Sequence, residues 1–170
     1  MAAPSSVTMP RLDHEPSARE RLAILRAAKS VAIVGFSPKP SRASYFVATY
    51  LLQDADYRLH FVNPVATGQE VLGQPVHASL ADLPEVPDVV DVFRKADDIP
   101  GVVDETVAIG APALWIQLGI VNEEAAADAR ARGLTVVMDR CIKIEHARFH
   151  GGLHIAGFDT GQISARKQFR

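Results

Sequence analysis

The residues predict a doubly wound α/β fold with a parallel sheet. Three observations carry this. Five short apolar runs rich in β-branched residues are spread along the chain. Helical periodicities separate them. The runs are apolar throughout rather than alternating, as in strands covered on both faces.

The first helix is read over 17–28, where Leu22, Ile24, Leu25 and Ala28 share a stripe behind Pro16. Val31-Ala32-Ile33-Val34 is the first strand and stops at Gly35. A helix over 41–54 places Val47, Tyr50 and Leu51 on one face, and a second strand over 57–62 ends at Asn63-Pro64. The stretch 65–87, with scattered Gly and Pro, reads as a long connection with one helical turn at Ser79-Leu80-Ala81-Asp82. Val89-Val90-Asp91-Val92-Phe93 is the third strand, and Asp98-Ile99-Pro100 opens a helix that Gly110 closes. Ala113-Leu114-Trp115-Ile116 is the fourth strand, Asn122 caps an Ala-rich helix ended by Gly133, and 134–138 is the fifth strand. A short helix is expected over 141–148. The architecture expected is a Rossmann-type five-stranded parallel sheet in the order 3-2-1-4-5, with helices on both faces. Residues 1–16 read as a flexible tail, 17–150 as one domain and 151–170 as a C-terminal tail.

Composition narrows the function. Eighteen basic and twenty acidic residues give a formal charge of −2. This argues against non-specific nucleic-acid or membrane-surface binding, both of which need an excess of positive charge. Cys141 is the single cysteine, which excludes an internal disulfide, a zinc ribbon and a CxxC pair, and suits a reducing compartment. No apolar run approaches the roughly 20 residues that span a bilayer. The Ala-, Pro- and Ser-containing N-terminus has no apolar core of a secretory signal, so a cytoplasmic protein is expected.

In a doubly wound sheet the ligand lies outside the carboxyl ends of the strands, so function is sought in the residues just beyond each strand. Those positions are Gly35-Phe36-Ser37-Pro38-Lys39-Pro40, Asn63-Pro64, Phe93-Arg94, Gln117-Leu118-Gly119 and Asp139-Arg140-Cys141. The first is the most informative. Gly35 permits a tight turn and close backbone approach, Ser37 offers a hydroxyl, and a helix N-terminus comes next. Lys39 and Arg42 add two cations there, where they oppose the helix dipole unless an anion is bound. A pyrophosphate suits such a loop.

The NAD fingerprint G-x-G-x-x-G is broken, with Ser37 and Pro40 in place of its second and third glycines, and the second strand ends in Asn63 rather than a carboxylate. Coenzyme A, which carries a ribose phosphate that a carboxylate would repel, meets the same constraints better. An NADP-dependent oxidoreductase and a regulatory or assembly subunit with a vestigial crevice are the alternatives.

The runs VAIVGFSPKP, VNP, LGQPV, SLADLP, DVVDVFR, WIQLGIVNEEA and VVMDRCIKIEH, in this order, resemble the stand-alone CoA-binding domain family. These are small Rossmann-type proteins similar to the CoA-binding domain of the succinyl-CoA synthetase alpha subunit. The resemblance implies a phosphate loop of Gly35, Phe36, Ser37, Pro38, Lys39 and Arg42. It places Asn63 and Pro64 beside the adenosine, Phe93 and Arg94 on the next wall, and Gln117 with Gly119 on the pantetheine side. Where the family pattern continues Asn-Pro with Lys, this chain has Val65. Catalysis by the related ligases resides in further domains, so the resemblance carries over binding of CoA or acyl-CoA and no catalytic residue. A carrier, sensor or regulator fits, acting alone, as a homodimer or with a partner protein.

Cys141, at the crevice edge and near a helix N-terminus, is a candidate for a stabilised thiolate and a mixed disulfide with the CoA thiol. His146, His150 and His154 recur every four residues, but Gly151-Gly152 breaks the helix before His154. No metal site is expected. Trp115 and Phe93 read as core or pocket wall rather than nucleic-acid stacking platforms.

Overall fold

A computed structural model describes residues 7–150. The chain runs α1 (Ala18–Ala27), β1 (Ser30–Val34), α2 (Ala43–Asp54), β2 (Arg58–Val62), β3 (Glu70–Val71), β4 (Gln74–His77) and β5 (Val89–Val92), and then α3 (Ile99–Ile109), β6 (Ala113–Ile116), α4 (Glu123–Ala131), β7 (Thr135–Val137) and α5 (Ile142–His150). Local chemistry sets the boundaries. Ser17 and Glu20 form a capping box at the start of α1. Asn122 accepts the Ala125 amide at the start of α4. Gly110, at φ 77°, takes the left-handed position that closes α3.

The α/β class is as expected, and all five anticipated strands form. The sheet, however, has seven strands in the order β3-β4-β2-β1-β5-β6-β7. It departs from the expected order in two places. The run at Val89 does not lie beyond β2; β5 pairs in parallel with β1 and β6, in the middle of the sheet. Its four residues are all buried. The place beyond β2 belongs to β4, from the stretch expected to be a connection. β4 pairs with β2 through Phe61 opposite Val76, and β3 flanks it antiparallel. Pro75 is tolerated because this ladder is at the sheet edge.

Two apolar layers sandwich the sheet. On one face Ile33, Phe61, Val89 and Trp115 pack against α1, α2 and α5; on the other Ala32, Val90, Leu114 and Val136 pack against α3 and α4. The chain reverses direction across the sheet between β1 and β5, and the loops after these strands meet there.

Residues 7–16, expected as part of a loose tail, lie along β7. Met9 is buried, the Thr135 hydroxyl donates to the Pro10 carbonyl, and Glu15 accepts the Met138 amide at 3.0 Å while pairing with Arg130 at 2.9 Å. The segment covers an edge that would otherwise expose unpaired backbone groups. Residues 1–6 and the tail expected over 151–170 lie outside the described residues, as does His154.

Candidate functional site

The loop after β1 is held by a few specific bonds. Gly35 has φ 80°, and a Cβ there would stand 2.3 Å from the Phe93 carbonyl oxygen. Glycine is therefore required by the close passage of the β5 loop as well as by the turn. The Ser37 amide donates to the Ser44 hydroxyl at 3.0 Å, and the Ser37 hydroxyl accepts the Lys39 amide at 3.3 Å. α2 begins immediately afterwards with Arg42 as its N-cap, and no side chain caps it. Its first amides and the positive end of its dipole thus face the crest, with Lys39 and Arg42 exposed beside them. Pro38, just before Lys39, is half-buried.

Phe36 differs from the rest of its loop. Its ring is fully buried and stacks on Phe61 at 3.9 Å, so its side chain is a core group and only its backbone reaches the crest. That backbone joins the first two loops, because Asn63 Nδ2 donates to the Phe36 carbonyl at 2.8 Å. Asn63 Oδ1 accepts the Val65 amide, which commits both ends of the side chain. Pro64 is exposed at the loop start.

Between these loops and α3 lies a cleft of about 380 Å³ lined by Gly35, Pro64, Arg94, Asp97, Asp98 and Glu105, among others. Arg94 Nε stands 3.4 Å from the Asp98 carboxylate. Phe93 is half-buried and packs on the α1–α2–α5 core, with its amide bonded to the Val34 carbonyl. The carboxylates were missed from sequence. The four-residue spacing of Arg94 and Asp98 was visible, but not the direction of the pair.

Further along the crest, Gln117 is buried and turned inward, its Nε2 donating to Asp91 Oδ1 at 2.5 Å. The expected pantetheine-side residue thus spends its amide on a buried acid. Asp91 is wholly buried, its Oδ2 has no hydrogen-bond partner, and burial pushes its carboxyl up to about 8 against the weaker pull of Gln117. A lone Asp inside a run of valines was the sequence signal for it. Gly119 is exposed at φ 84° and donates its amide to Asp139 at 2.7 Å, joining the β6 and β7 loops.

Cys141 is half-buried ahead of α5. The amides of Ile144 and Lys143 favour its thiolate as expected, but burial outweighs them and pushes the thiol up; Asp91 adds to this when ionised. The expectation of a stabilised thiolate is therefore corrected: burial disfavours the thiolate here. His146 and His150 stack at 4.0 Å on α5, and His146 accepts or donates at 2.9 Å with the Tyr50 hydroxyl. Among the described residues no group of three or more His, Cys, Asp or Glu is placed to hold a metal.

A doubly wound sheet whose switch point combines a glycine turn, an uncapped helix start and two cations defines a nucleotide-binding class of domain. Comparison with known proteins sharpens the class. The chain belongs to the CoA-binding domain family, whose pattern it matches over residues 29–147. It is 42% identical over 132 residues to the uncharacterized protein YneT of Bacillus subtilis (strain 168), covering 78% of this chain and 96% of that one. Among solved structures, cell-free ID.343 from Thermus thermophilus is 36% identical with a TM-score of 0.74, covering 78% of this chain and 98% of that one. A hypothetical protein from Pyrococcus horikoshii OT3 is 34% identical, also at 0.74, covering 85% of this chain and 99% of that one.

Proposed function

We propose that this chain binds coenzyme A or an acyl-CoA at the crest and acts as a carrier, sensor or regulator rather than as a catalyst. The observation that carries this is the uncapped start of α2 beside Lys39 and Arg42, a ready seat for a pyrophosphate. Ser37 and Gly35 shape the loop, and the cleft beside Pro64 and Arg94 has room for the nucleoside. The family match supports the same ligand. The pantetheine arm then runs past Gly119 toward Cys141. Among the described residues no helix is long and apolar enough to cross a membrane. The lone thiol favours a reducing, cytoplasmic setting.

The test is a thermal-shift series with CoA, acetyl-CoA, NAD and NADP. Ligand at about 100 times its Kd adds ~2.7 kcal/mol. For a domain of this size that is on the order of 5–11 °C. A larger shift with CoA than with NAD or NADP is expected. A shift with NADP alone returns the oxidoreductase reading, and none with any ligand returns the vestigial crevice.

A further inference from the structure

We infer that the crest grips the adenosine diphosphate unit of its ligand without gripping the ribose phosphate, so that dephospho-CoA binds at least as tightly as CoA. This rests on the CoA-binding reading above and concerns which part of that nucleotide is recognised.

In sheets of this kind the ribose lies at the end of the second strand, where a nearby cation holds a ribose phosphate when there is one. Here the end of β2 has spent its polar groups on itself. Asn63 bonds at both ends of its side chain, to the Phe36 carbonyl and the Val65 amide. The Ala66 amide donates to the Asn63 carbonyl, that of Gly68 to Val76 and that of Gln69 to Ala66. The Thr67 hydroxyl turns back onto the carbonyls of Asn63 and Pro64. Pro64 has no N–H. Val65 is 90% exposed and carries neither charge nor donor, and none of the other exposed residues over 64–70 is a cation.

The opposite wall of the cleft is acidic. Asp97, Asp98 and Glu105 line it with one guanidinium, Arg94, whose charge Asp98 already neutralises at 3.4 Å. A dianionic phosphate entering here meets like charge, weakened but not abolished by salt. Ribose hydroxyls and the adenine amino group are donors that carboxylates accept. The exposed cations Lys39 and Arg42 stand on the β1 side, where the pyrophosphate belongs. The same surface disfavours NADP, whose extra phosphate is on the same ribose.

Isothermal titration at pH 8 measures CoA against dephospho-CoA. Dephospho-CoA is expected to bind as tightly as CoA or up to about tenfold tighter. The Asp98→Asn variant, which removes one carboxylate and releases Arg94, should strengthen CoA binding several-fold relative to dephospho-CoA. CoA binding about tenfold tighter than dephospho-CoA to the unaltered protein overturns the inference. An unchanged ratio in Asp98→Asn overturns its electrostatic basis. Failure of both ligands to bind is a separate result, which removes the CoA-binding reading and this inference with it.

Discussion

Arg21–Glu145 and Arg94–Asp98 are the same chemistry in two settings. The first joins α1 to α5 at 2.8 Å with both side chains almost wholly buried, and Arg21 also donates to the Pro16 carbonyl. The second lies along one wall of the crest cleft at 3.4 Å with both side chains more than a third exposed. A buried pair cannot meet a ligand, and removing one partner strands the other charge away from water. An exposed pair contributes little to stability, so removing one of its members costs the fold little and changes mainly the charge the cleft presents. The α1–α5 seam is therefore structural and the crest pair electrostatic in its effect, although both are built from arginine and carboxylate.

The largest effect that could break this contrast is in the seam. Glu145→Ala should cost about 3–5 kcal/mol, because Arg21 would be left buried and unpaired. For a domain of this size that lowers Tm by on the order of 10 °C in calorimetry. A loss no larger than that from a surface substitution would show that the seam is not structural.

Asp91 gives the next largest effect and tests the floor of the crest. Its folded pKa, about 8, lies above that of the unfolded chain, so the neutral acid is what the fold stabilises. Stability from this group is complete below the unfolded value, is lost as pH rises from there to about 8, and falls by about 1.4 kcal/mol per pH unit between. Between pH 5 and 7 the unaltered protein should lose on the order of 3 kcal/mol relative to Asp91→Asn in denaturant titrations. A pH-independent difference would mean that Asp91 is ionised in the folded state.

At the crest, Ser37→Asp places negative charge on the phosphate loop and should weaken CoA binding about tenfold or more without altering the fold. Calorimetric affinity equal to that of the unaltered protein would show the loop to be misassigned. The smallest effect sharpens the contrast: Asp98→Asn should change stability by no more than about 0.5 kcal/mol.

Much of the framework was legible because hydrophobic periodicity reports burial. The valine-rich strands, the Ser17 and Asn122 caps and the Gly110 stop lie where local chemistry puts them. The illegible parts depended on distant partners. β4 carries Gln74 and Pro75, which look like turn residues until Phe61 is seen opposite Val76. The place of β5 beside β1 is set by crossovers, which leave no local pattern. The docking of residues 7–16 rests on Glu15 meeting Met138 and Arg130 across more than a hundred residues of chain. At the crest, residue types could be read but their directions could not. Phe36 and Gln117 point inward, whereas Asp98, legible only as a helix start, and Asp97 face the cleft.

The most direct test of the central claim is titration of CoA into the unaltered protein and into a Lys39→Glu, Arg42→Glu double variant. Saturable one-to-one binding by the unaltered protein, weakened at least about a hundredfold when both charges are reversed, is the predicted result. Equal affinity in the two proteins, or no heat of binding in either, would contradict the assignment of the pyrophosphate to the start of α2.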